Sequence, residues 1–256
     1  PVLAIISELF YIMTKQPAGD FESKAEAKSR EFAGMQAELS EFGTRRRFSF
    51  DVQNRVVEIL REHPGSFLNG TSNLCLAMKH NLTPIGTHPH EWFMYHGAHY
   101  GYRIANELSL QNWVDVYHGS LGIALTDTYT TDNFFRSFNL KFSKLFDGVR
   151  WDSGDPFLFT DNAVEHYRKL RIAPESKAIV YSDALNLEKV GAMRKYAGGR
   201  IHDVYGIGTY LTNDTDARPL NIVIKIHAVK PEGHTDYIPA VKLSDAEGKH
   251  TGDTEE

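Results

Sequence analysis

The chain has 256 residues, 41% of them hydrophobic and 24% charged, with a formal net charge of −5. That length accommodates one large α/β domain or two ordinary ones, and the composition predicts a packed core rather than disorder. Interspersed acids and bases argue against nucleic-acid binding through a broad basic face, a single cysteine (Cys75) excludes an intrachain disulfide, and no apolar run has the length of a membrane span.

The lone thiol leads us to expect a reduced, cytoplasmic setting. The chain opens on Pro1-Val2-Leu3-Ala4-Ile5-Ile6-Ser7, an apolar β-branched run that reads as a buried strand. A buried strand at the very start, without an initiator methionine, predicts a fragment that lacks an N-terminal portion. Phe21, Ala25, Phe32, Met35 and Leu39 share one helical face, which predicts an amphipathic helix over 21–40. A second helix is expected at 50–62, with Val52, Val56, Ile59 and Leu60 turned inward.

Phe42-Gly43-Thr44-Arg45-Arg46-Arg47 joins these two predicted helices. Consecutive arginines offer fixed N–H donors to carboxylate or phosphate, and their splay lets at most two face one ligand. The competing reading is a solvated basic turn.

Short apolar runs follow at 82–86, 121–125, 149–151, 178–181, 201–205 and 222–226, each followed by a helical pattern. Between 121 and 205 they recur at roughly 25–30 residues, the spacing of strand-plus-helix units in a parallel barrel or doubly wound sheet. Phe134, Phe135, Phe138 and Phe142 form an aromatic stripe at helical spacing and read as core. Asn186 caps a predicted helix that stops at Gly198-Gly199. Beyond 227, Pro231, Gly233, Pro239, Gly248 and Gly252 interrupt the pattern. Residues 1–227 therefore read as a barrel core, and 228–256 as a β-rich appendage of a second, smaller domain with a loose acidic tail.

Polar groups gather at the ends of these runs, where parallel strands build active sites. Gly86-Thr87-His88-Pro89-His90-Glu91 leads from a predicted strand into a helix. A histidine there lies near free backbone N–H groups, and a neutral imidazole is a nucleophile toward phosphoryl groups. His96 and His99 raise a zinc alternative, weakened because Met94 stands four residues after His90. Arg150-Trp151-Asp152-Ser153-Gly154-Asp155 sets a cation and carboxylates about a tight turn. Asp152 suits ribose hydroxyls, a cationic centre or a hydrated magnesium ion, and a plain Asp-Ser-Gly turn is the competing reading. Gly206-Ile207-Gly208-Thr209 follows a late strand, where backbone N–H groups and a hydroxyl can cradle phosphate.

Together with Gly70-Thr71-Ser72-Asn73, Leu121-Gly122-Ile123-Ala124-Leu125-Thr126-Asp127, Ser182-Asp183 and Pro219-Leu220-Asn221-Ile222-Val223-Ile224-Lys225, these segments resemble the nicotinate phosphoribosyltransferase family. They stand in the family's order and cover nearly the whole chain. The resemblance implies an irregular α/β barrel of the phosphoribosyltransferase type, a homodimer with the active site at the subunit interface, and no nucleic-acid or membrane partner. It implies that the family's N-terminal portion, which supplies an aromatic residue stacking on the substrate ring, and a short C-terminal end are absent here.

The resemblance further implies nicotinate, phosphoribosyl pyrophosphate and ATP as substrates, magnesium as cofactor, and no tightly bound organic cofactor. His90 matches the histidine that ATP phosphorylates, Thr87 and Arg150 match contacts to nicotinate, and Thr209 matches a phosphate-binding position. Asp127 and Asp152 match acids near the ribose and magnesium, and Arg45, Arg46, Ser153, Gly206 and Gly208 complete the expected substrate set. Glu41 departs from the aspartate expected before Phe-Gly, a change that would alter how the ring nitrogen is positioned. Rival expectations are a nicotinamide or quinolinate enzyme of the same type, a non-catalytic phosphometabolite-binding barrel, and a zinc hydrolase.

Overall fold

Helix starts in this chain are set largely by short polar side chains. Asp20, Ser49, Asn73, Asn139, Asp155 and Asn186 each accept a hydrogen bond from a backbone N–H two or three residues on, satisfying donors that an α-helix leaves unpaired. The computed structural model describes residues 1–252. Most of the expected acidic tail falls on 253–256, outside the described residues.

In chain order the elements are α1 (Val2–Met13), α2 (Phe21–Gly34), β1 (Glu38–Glu41), α3 (Phe50–Glu62), β2 (Leu68–Thr71), α4 (Leu74–His80) and β3 (Thr83–Pro84). Then come α5 (His90–Tyr100), α6 (Ala105–Tyr117), β4 (Ile123–Leu125), α7 (Thr131–Ser137), α8 (Leu140–Leu145), β5 (Gly148–Trp151) and α9 (Pro156–Lys169). The last are β6 (Ala178–Tyr181), α10 (Leu187–Ala197), β7 (His202–Ile207), α11 (Thr209–Thr212), β8 (Ala228–Val229) and β9 (Ile238–Pro239).

The chain divides into two units. The first comprises Pro1–Gly86, Tyr181–Gly198 and Asp203–Val223; the second comprises Thr87–Val180, Gly199–His202 and Ile224–Glu256. In the first, parallel strands run in the order β3-β2-β1-β7 over a core that includes Phe32, Leu39, Val57, Leu60, Leu76 and Tyr205. In the second, β4 and β5 pair in parallel and β5 neighbours β6. Two clusters anchor this unit: Phe93, Ala105, Leu125 and Tyr129, and Met94, Ala98 and Ala240 with Ile226, Val229 and Ile238 packed on. Each fully buried Phe, Leu or Met side chain among them contributes about 1.5–3 kcal/mol relative to exposure.

Several expectations are corrected. The opening run is helical, because Ala4, Ser7 and Tyr11 recur at helical spacing and form the buried side of α1. The helix expected over 21–40 stops at Gly34. Gln36 takes a left-handed conformation, Gln36 N–H and Ala37 N–H bond back to Ala33 and Phe32, and β1 follows. The arginine run therefore leaves a strand and forms a short 3-10 turn, Thr44–Arg46, rather than linking two helices. The aromatic stripe buries Phe134, Phe138 and Phe142, but over two helices broken at Phe138-Asn139. Residues 222–226 form no strand, and Val223 and Ile224 are exposed. By contrast, helix 50–62, strand 178–181 and the Asn186-capped helix ending at Gly198 stand where expected.

Candidate functional site

Strand register brings the second unit's acids together. β4 and β5 are parallel with Leu125 opposite Arg150, so Asp127 and Asp152, each two residues further on, leave neighbouring strand ends. His90 is the first residue of α5. Its Nε2 lies 2.9 Å from Asp127 Oδ1 and 3.7 Å from Asp152 Oδ2.

The other Asp127 oxygen, Oδ2, accepts from Ser153 Oγ at 2.7 Å and Ser244 Oγ at 3.3 Å, and pairs with Lys242 Nζ at 3.3 Å. Arg150 spans the other side of the site. It donates to Thr87 Oγ1 (2.8 Å), the His88 carbonyl (3.3 Å) and Asp152 Oδ1 (2.9 Å).

Electrostatics define the proton positions. Burial works against the Asp127 charge, but the His90 hydrogen bond, Lys242 and Ser153 outweigh it and hold the carboxyl far below its ordinary range. Burial pushes His90 down, more than its bond to Asp127 raises it, so the ring is neutral. A neutral ring on an ionised carboxylate carries its proton on Nε2. Nδ1 then keeps its lone pair, and no hydrogen bond engages it among the described residues.

His88 plays a different part. It is wholly buried, its Nδ1 accepts from Leu125 N–H at 3.3 Å, and its ring meets Trp113 edge-on at 4.1 Å. Burial, with Arg150 nearby, pushes its pKa down to about 3, so it stays neutral. His96, one half of the expected zinc pair, has both ring nitrogens engaged, by the Trp92 carbonyl and by Asn112; His99 stacks on Tyr95. Among the described residues, the group that brings potential metal ligands together is instead His90, Asp127 and Asp152, with ligand atoms within 4.8 Å of one another.

The remaining expected residues lie in the first unit. Arg45 is exposed and Arg46 half-buried, its Nε donating to the Ile222 carbonyl at 3.2 Å. Arg47 turns inward to Gln53 (3.2 Å) and Glu8 (3.1 Å), which leaves two of the three arginines at the surface side of the turn. Gly206 and Gly208 flank the end of β7, and Thr209 starts α11. A Cβ on Gly206 would fall 2.7 Å from the Phe42 ring, and one on Gly208 would fall 3.2 Å from the Phe42 carbonyl. Both glycines therefore permit close approach of the arginine loop. Glu41 does not present its carboxylate to a ligand. It is fully buried and accepts from Gly43 N–H, Gln53 Nε2 and Thr71 Oγ1.

Thr87, His90, Asp127, Arg150, Asp152 and Ser153 are thus assembled in one unit, and Arg45, Arg46, Gly206, Gly208 and Thr209 in the other. Sequence reasoning missed Lys242, Ser244, Asp245 and Lys249. Asp245 N–H donates to Ser153 Oγ at 3.1 Å, and Lys249 Nζ donates to the Asp152 carbonyl at 3.2 Å. The run Lys242-Leu243-Ser244-Asp245 carries hydroxyl and charge, but nothing local in it points to Asp127.

The model of the nicotinate phosphoribosyltransferase (NAPRTase) family matches residues 37–256. A nicotinate phosphoribosyltransferase of Chromohalobacter salexigens is 49% identical over 99% of this chain and 65% of its own length. One of Desulforapulum autotrophicum is 46% identical over 100% of this chain and 67% of its own. The crystal structure of nicotinate phosphoribosyltransferase from Porphyromonas gingivalis matches with a TM-score of 0.95 at 46% identity, covering 100% of this chain and 67% of that one. This chain therefore spans about two thirds of the length of these relatives, and its fold is the irregular α/β barrel type that the resemblance implied. The matched segments and the fold together show that the chain belongs to the nicotinate phosphoribosyltransferase family.

Proposed function

We propose that the full-length protein transfers the phosphoribosyl group of phosphoribosyl pyrophosphate to nicotinate, coupled to ATP through a phosphohistidine at His90, in NAD salvage. One observation carries this reading: a buried imidazole tied through Nε2 to the ionised Asp127, with Nδ1 left as an acceptor at a helix start. The Nδ1 lone pair attacks the terminal phosphorus of ATP as the bond to ADP oxygen breaks. Water later takes the phosphoryl group and releases phosphate. In the transfer itself, the nicotinate ring nitrogen bonds to the anomeric carbon as the bond to pyrophosphate oxygen breaks.

Arg150, steadied by Thr87 and Asp152, is a fixed cation for the nicotinate carboxylate, which favours the acid over its neutral amide. Asp152 is well placed to stabilise a ribose of oxocarbenium character. Thr209, Gly206, Gly208, Arg45, Arg46 and Ser153 are assigned to the phosphoribosyl groups. Magnesium prefers oxygen ligands and keeps several waters. The Asp127 oxygens are engaged by His90, Ser153, Ser244 and Lys242, and Asp152 faces Arg150 and His90, so the two carboxylates would hold a hydrated ion through its waters. When bound, that ion offsets charge on the departing pyrophosphate. The working form is a cytoplasmic homodimer; no helix among the described residues is long and apolar enough to cross a membrane.

The test is His90→Ala in the full-length protein with ATP labelled on its terminal phosphate. The expected outcome is loss of acid-labile label and of ATP stimulation, with at most slow ATP-independent transfer. ATP stimulation that survived intact would refute the role of His90.

A further inference from the structure

We propose that Lys242 is a positioning residue for the phosphoryl-accepting histidine, acting through Asp127; this rests on the reading of His90 given above. The three side chains form a line. His90 Nε2 is 2.9 Å from Asp127 Oδ1, and Lys242 Nζ is 3.3 Å from Asp127 Oδ2. All three lie out of water, with side chains 7%, 1% and 6% exposed for His90, Asp127 and Lys242. A lysine ammonium is seldom buried to this degree without a partner that repays its lost hydration. Asp127 is that partner.

The lysine is held in place by its own segment. Lys242 and Thr251 exchange both backbone hydrogen bonds, at 2.8 and 3.0 Å. The next residue, Leu243, donates its N–H to the Thr128 carbonyl at 2.8 Å. Ser244 reaches Asp127 and Ser153, and Asp245 accepts from Thr131 N–H at 2.8 Å. Consecutive residues 242–245 thus track the loop that carries Asp127. Lys242 is set there by backbone register rather than by a chance surface encounter.

Two consequences follow from this geometry. With Oδ2 fixed by an ammonium and two hydroxyls, the carboxylate cannot rotate away, so Oδ1 stays aimed at Nε2 and Nδ1 stays the reacting nitrogen. Lys242 Nζ also stands 3.3 Å from the Asp127 carboxylate, on the side away from His90. An incoming anionic phosphoryl group therefore does not meet an uncompensated buried carboxylate, which at low dielectric would repel it strongly.

The test uses the full-length protein as wild type, Lys242→Met and Lys242→Arg, with His90→Ala as reference. Label transfer from terminally labelled ATP is timed, and two-bond proton–nitrogen NMR spectra of histidine-labelled protein report the His90 tautomer, assigned by its loss in His90→Ala. We expect Lys242→Met to slow labelling about 10-fold or more, the scale known for losing an outer partner that orients a metal-bound histidine. The ATP KM should stay within about twofold, the single Nε2–H signature of His90 should be lost, and Lys242→Arg should restore most of both. Labelling of Lys242→Met at the wild-type rate overturns the role of Lys242 and leaves that of His90 intact. Wild type that takes no label, with a tautomer that still changes in Lys242→Met, removes the phosphohistidine and keeps the positioning. No label and no tautomer change removes both.

Discussion

Glu41 holds a carboxylate wholly out of water on hydrogen bonds from Gly43, Gln53 and Thr71. Burial raises its pKa above the ordinary value, against the opposing pull of those donors and of Arg47. A carboxyl whose pKa is higher folded than unfolded binds its proton more tightly in the native state. Its contribution to stability is therefore full below the unfolded pKa and is lost as pH rises through the folded one. Glu41→Gln should flatten that decline, whereas Glu41→Ala strands several buried donors and should cost about 3 kcal/mol or more. Urea unfolding at a series of pH values checks both, and equal pH slopes for wild type and Glu41→Gln would refute the assignment. The motif around Glu41 was legible in the sequence, but the direction of its side chain was not. That direction depends on β1, which hides at the end of an apparent helix because Leu39 fits both periodicities.

The elements that could be read in advance are those whose signals are local. Ser49 and Asn186 announce α3 and α10 because a cap acts within a few residues of itself. β1 and β2 are four residues each, with glycine or polar residues among them, and show no alternation to read. Residues 222–226 are apolar enough for a strand but pair with no strand among the described residues, and a strand exists only by its neighbour. Glycines test how tightly these elements meet. A Cβ on Gly148 of β5 would run into the Ala178 backbone at the start of β6, so Gly148→Ala should cost at least about 1–3 kcal/mol. Gly191 lies inside α10, where a Cβ would find only the Met35 side chain at 3.7–3.8 Å. Gly191→Ala should therefore stabilise by about 0.5–1 kcal/mol. Denaturant midpoints measured side by side should move in opposite directions, and a shift of the same sign for both would contradict the packing described.

Over the whole molecule, the segment after Ile224 belongs to the same unit as residues 87–180. Asp127 and Asp152 were legible as candidates because each follows an apolar run, Arg150 because it interrupts one, and His90 because it opens a helical pattern shortly after one. Ser244 was not, since its link to Asp127 spans 117 residues and exists only in the folded chain. Asp245 is the clearest stitch between these parts: its carboxylate accepts from both Thr131 N–H (2.8 Å) and Thr131 Oγ1 (2.5 Å), on the first turn of α7. Asp245→Ala removes both bonds; the Thr131 hydroxyl keeps Thr126 Oγ1 as an acceptor at 3.2 Å, but the Thr131 N–H loses its partner, which should lower the free energy of local opening by about 1–3 kcal/mol. The loss should appear together in two places far apart in sequence, the amides of 242–251 and those of 127–131, while the helices α9 and α10 keep their protection. Hydrogen exchange followed by mass spectrometry reads this directly. If only one of the two segments exchanged faster, they would not open as one cooperative piece, and Asp245 would be a local cap rather than the tie that fastens the C-terminal segment to the Asp127 loop.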